Sequence, residues 1–78
     1  MNVDMTPAQS RAARAMIPLK QPELAKAAGL GLSTIVDFEK ERRVVSDQAI
    51  TAIRTALESA GVEFIDENGG GAGVRLRK

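Results

Sequence analysis

Apolar residues recur along this chain first with helical spacing and then, near its end, with the two-residue spacing of strands. Thr6-Pro7-Ala8-Gln9 has the form of a capping box with proline at the first helical position, so a helix opens after Thr6. Pro18 closes it near Met16 or Ile17, because the residue before proline avoids the α region. Ala12, Ala15, Met16 and Leu19 are its expected core contributors, and residues 1–5 are expected to fray.

Leu24, Ala25 and Ala28 then mark one face of a second helix. Lys20 precedes it where a capping side chain would serve better. Glu23 suits the positive end of its first turn, and Pro22 costs little there. Gly29 stands where this helix must stop and positive φ is useful. Ile35 and Phe38 resume the pattern in a third helix starting near Leu32. Ala25 supplies the small side chain that two helices crossing over a tight turn require. Ser46 is a good N-cap and Asp47 a good first-turn residue for a fourth helix over residues 47–60. Ala49, Ile50, Ile53, Ala56, Leu57 and Ala60 line its inner face, with Gly61 just beyond. After it, Val62-Glu63-Phe64-Ile65 and Gly73-Val74-Arg75-Leu76-Arg77 flank a turn-rich stretch containing Asn68-Gly69-Gly70-Gly71. That pattern predicts a β-hairpin. An isolated two-stranded hairpin is barely stable in water, so it should pack on the helices, pair with a second copy, or both. Its strand edge offers one dimerisation route.

The expected fold is therefore mainly α: four helices over residues 1–61, then a C-terminal β-hairpin over residues 62–78 that could serve dimerisation. Seventy-eight residues make one small core, and the two aromatic residues, both Phe, leave it to aliphatic side chains. Dimerisation would help such a core. The chain has neither cysteine nor histidine, so disulfides, thiolate zinc sites and the usual general base are all missing. The triple glycine has no following helix and is no phosphate cradle. An enzyme is the poorest fit, and no cofactor or metal is expected. No apolar run reaches the ~20 residues of a membrane span and no signal-peptide core opens the chain. A cytoplasmic location without membrane contact is the expectation.

The second and third helices carry a further signal. Gln21, Leu24-Ala25, Gly29, Ile35 and Phe38-Glu39 stand in a register that resembles the phage-repressor-like helix-turn-helix family (Cro/CI, XRE-type). The resemblance covers roughly residues 6–60. It implies a repressor-like helix-turn-helix domain whose third helix enters the major groove of double-stranded DNA. It also implies that Gln21 packs near the DNA backbone, where an amide can grip phosphate and orient a base-reading neighbour. Leu32 and Ser33 match the family's first base-reading positions, and Asp37 a third. Arg14 and Glu39 fit an architectural ion pair joining the first helix to the end of the third. One departure stands out. Relatives often close the recognition helix with glycine two residues after the glutamate, where this chain has Glu41, so either the helix runs on or Glu41 itself turns left-handed.

The residues themselves admit this chemistry. The outward face of the third helix carries Leu32, Ser33, Val36 and Asp37. Leu32 suits thymine methyls, Ser33 several base edges, and Asp37 cytosine N4, although Asp37 repels phosphate. Ser33 and Thr34, next to Gly31 at the helix start, can bond phosphate, as can Lys40, Arg42 and Arg43 behind the helix. None of Leu32, Ser33 and Asp37 makes the bidentate Arg–guanine contact, so DNA shape and flanking arginines should contribute to readout. Plainer readings exist for each. Gln21 can be a solvated first-turn residue, Leu32 can pack on a partner or the tail, and Asp37 can pair locally with Arg42 or Lys40. The cationic run can be a solvated loop.

Net charge adds little. It is +1 overall, with seven basic and five acidic residues up to Arg43 and four against five beyond. Two function classes remain. One is a sequence-specific transcriptional regulator, a homodimer on an inverted-repeat operator. The other is a protein-interaction module of the same fold, such as an adaptor, antitoxin or antiactivator. Gln21, the cationic run and the intact turn favour the first. Weak charge, Leu32 and Asp37 lean towards the second.

Overall fold

The computed structural model describes residues 5–65 and 69–77, so the expected fraying of residues 1–4 lies outside the described residues. Four helices, α1 (Pro7–Met16), α2 (Gln21–Ala28), α3 (Leu32–Glu39) and α4 (Asp47–Ser59), precede strands β1 (Val62–Ile65) and β2 (Gly73–Leu76).

The local signals act as expected. Thr6 Oγ1 accepts from the Gln9 amide at 3.1 Å, and Gln9 Oε1 accepts from the Thr6 amide at 2.8 Å, closing the capping box. At α2, Lys20 offers no side-chain cap, but Glu23 Oε1 accepts from its amide at 2.9 Å. Gly29 ends α2 at φ +70°, ψ 32°. Ser46 Oγ accepts from the Ala49 amide and starts α4.

The core gathers Ala13, Leu24, Ala25, Ile35, Phe38, Val45, Ile53 and Leu57 from the helices and their connections, and Val62 and Phe64 from β1. Met5, expected to fray, is instead buried against it, because its apolar side chain packs into this core. The strands pair antiparallel, Val62 opposite Leu76 and Phe64 opposite Val74. Alternation puts Val62 and Phe64 inward while Glu63 and Ile65 face out. The hairpin thus packs on the helices, with β1 against α4 and β2 against α1. Arg54 extends its guanidinium over the Phe64 ring, 5.0 Å from the centroid.

The inner face of α1 differs from the one its apolar residues suggested. Ala12, Ala15 and Met16 are exposed, while Gln9, Ser10 and Ala13 are buried. Leu19, by contrast, does pack on the core. The helix is rotated by its polar partners. Gln9 Nε2 donates to the Gly73 carbonyl at 2.9 Å, and Ser10 reaches into the helical core. Each would cost free energy if buried without such a partner. Ala60, expected on the inner face of α4, is the exposed C-cap instead.

Candidate nucleic-acid interface

The end of α3 is organised around one carboxylate. Glu39 is 1% exposed. Its Oε1 accepts from Arg14 Nη2 at 2.7 Å and Gln21 Nε2 at 3.1 Å. Its Oε2 accepts from Arg14 Nε at 2.9 Å and from Ser10 Oγ at 2.5 Å. Burial works against the charged form, but the hydrogen bonds from Arg14, Ser10 and Gln21 and the Arg14 charge together outweigh it. The Glu39 carboxyl is held below the usual glutamate range. Arg14 Nη1 also donates to the Leu19 carbonyl at 3.2 Å, bracing the α1–α2 connection. Arg11 donates to the Glu39 carbonyl and so covers the C-terminus of α3. The implied Arg14–Glu39 pair is present, and α1, α2 and α3 meet on it.

Gln21 is therefore not a simple solvated side chain. One of its amide protons goes to Glu39, which fixes its orientation; the other has no acceptor among the described residues. Ser10 was missed by sequence reasoning. Ser10 lies one helical turn before Arg14, and that spacing from the implied ion pair's cation is the signal that could have found it.

The outward side of α3 starts at Gly31, an N-cap in extended conformation that supplies no side chain. The first amides of α3 thus have no side-chain acceptor, a geometry that suits an anion. Leu32 is 46% exposed and Ser33 is exposed beside it; Thr34, Val36 and Asp37 are half-buried. After α3 the chain turns sharply, with Glu41 at φ +56°. Of the two possibilities, the left-handed one is realised. The Arg42 amide donates to the Asp37 carbonyl at 2.9 Å.

The partner of Asp37 differs from both expected ones. Arg43 Nε donates to Asp37 Oδ2 at 2.8 Å, with the two side chains 52% and 22% exposed. The left-handed turn at Glu41 carries Arg43 back alongside α3. Lys40 and Arg42 are exposed, and among the described residues neither pairs with an acidic side chain. Next to this loop a shallow groove of ≈ 440 Å³ runs between Pro7, Phe38, Val45 and Ile50, with Val44 95% exposed at its rim.

Among the described residues no group of three or more histidine, cysteine or acidic side chains is placed to hold a metal, and no helix is long and apolar enough to cross a membrane. No protein-family model matches the chain, and a search of curated proteins found no similar one.

Proposed function

We propose that this protein is a sequence-specific double-stranded DNA-binding transcriptional regulator of the phage-repressor-like type, acting as a homodimer on an inverted repeat. The observation that carries the reading is the α2–Gly29–α3 unit. It is locked from behind by Arg14, Gln21 and Glu39, while α3 leaves Leu32, Ser33 and the edge of Asp37 accessible. A rigid support under an exposed, uncapped recognition helix suits insertion into a major groove about 12 Å wide.

Roles follow from position. The spare amide proton of Gln21 and the free amides at the start of α3, around Gly31, Leu32 and Ser33, approach phosphate oxygens. Leu32 and Ser33 meet base edges, Leu32 favouring thymine methyl groups. Val36 and Thr34 fill the surface between them. Lys40 and Arg42 supply phosphate contacts behind the helix. With a net charge of only +1, affinity depends on these few placed groups.

Selection from a randomised duplex pool at near-physiological salt tests the reading. An enriched inverted repeat, with half-sites about one helical turn (~34–36 Å) apart, is the expected result. Absence of both enrichment and retention would hand the protein to the interaction-module class, which the half-exposed Leu32 also suits.

A further inference from the structure

We infer that Asp37 restrains Arg43, holding non-specific DNA affinity down until a matching site draws the pair apart. This inference rests on the DNA-binding reading above. Asp37 occupies the outward side of α3, one turn after Ser33, and lies where a base edge would be read. Its carboxylate is the acidic side chain that α3 shows on that side, since Glu39 is turned inward. Unpaired, it would repel the phosphates flanking the groove. Arg43 neutralises it through a 2.8 Å contact.

The contact has a cost on the other side. Lys40, Arg42 and Arg43 form the cationic run behind the recognition helix, and Arg43 is the member of it that is already engaged. While it holds Asp37 it is not a full phosphate ligand. Both side chains retain solvent access, so the pair is weakly held and can exchange partners. At a site that offers Asp37 a hydrogen-bond donor, such as cytosine N4, Asp37 turns to the base and Arg43 passes to a phosphate. At other sites Asp37 finds no donor to replace Arg43, nothing offsets the cost of the exchange, and the pair stays closed. Asp37 is thus a specificity-determining residue and Arg43 its positioning partner.

The left-handed residue Glu41 makes this possible, because it reverses the chain and returns Arg43 to α3. Asp37→Asn removes the charge with little change of shape, and the backbone bond from Arg42 to the Asp37 carbonyl is untouched.

The test compares the salt dependence of binding to a mixed-sequence duplex for wild type, Asp37→Asn, Arg43→Gln and the double variant, with folding checked by circular dichroism. Each phosphate contact adds about 0.9 to the slope of log affinity against log salt. Asp37→Asn is expected to bind more tightly at 50 mM salt, with a slope steeper by about 0.9 per protomer. That gain should vanish in the double variant. Discrimination between a selected site and the mixed duplex should fall in Asp37→Asn. A gain that persists in the double variant means Asp37 acts by simple repulsion, and overturns the inference. An unchanged slope in Asp37→Asn overturns it too, while leaving DNA binding intact. A wild type that binds no duplex at 50 mM salt overturns both readings.

Discussion

Glu39 shows how a single residue can organise the junction of α1, α2 and α3. Its carboxylate accepts from three side chains on two other helices, and none of its buried oxygen atoms lacks a partner. Breaking a buried pair leaves the opposite charge uncompensated, at a cost of about 3–5 kcal/mol. Arg14 is partly exposed, so Glu39→Ala should fall at the lower end, about 3 kcal/mol, in urea denaturation. The pH dependence follows from the direction of the shift. A folded-state pKa below the unfolded one contributes stability that is complete above the unfolded value, near ~4.3, and is lost as pH falls through the folded value. Denaturation midpoints measured from neutral pH down to about pH 3 should decline in wild type. The decline should be shallower in Glu39→Gln, which has no proton to take up at this site.

At the scale of elements, two left-handed residues terminate the two helices of the unit, and they should respond oppositely to substitution. Gly29 sits at φ +70° with open space where a side chain would go, so Gly29→Ala meets only the conformational penalty, about 1–2 kcal/mol. Glu41 already bears that penalty at φ +56°, so Glu41→Gly should raise stability by about 1 kcal/mol. Thermal denaturation of the two variants gives the signs directly. These same elements show what the sequence made legible. Caps, prolines and Gly29 are local signals, and the helix starts at Thr6 and Ser46 follow from them. The rotation of α1 was not legible, because Gln9 and Ser10 turn inward for partners far away in the chain, Gly73 and Glu39. Nor was the pairing of Asp37 with Arg43. Helical spacing favours Lys40, and only the reversal at Glu41 delivers Arg43 to the carboxylate.

Across the whole molecule, the hairpin and the helices share one core. Val62 is fully buried and Phe64 nearly so. Ending the chain after Gly61 removes both, at about 1.5–3 kcal/mol each, and strips Gln9 of its Gly73 acceptor. For a domain of this size that loss approaches the whole of its stability, roughly 0.05–0.15 kcal/mol per residue. The truncated chain is expected to lose its helical circular dichroism at 25 °C. A dimerisation role for the hairpin is therefore better examined in the full chain by substitution at the exposed Leu76 on β2, with sedimentation as the readout. The fold leaves the outward side of α3 and the loop behind it exposed, and on the proposed reading this is the face that meets DNA. The most direct measurement is a titration of the 15N-labelled protein with an arbitrary duplex at low salt, followed by amide chemical shifts. Shifts should concentrate on Gln21, on residues 31–37 and on Lys40, Arg42 and Arg43. Shifts confined to α4 or the hairpin, or none at all, would contradict a DNA-binding role for α3.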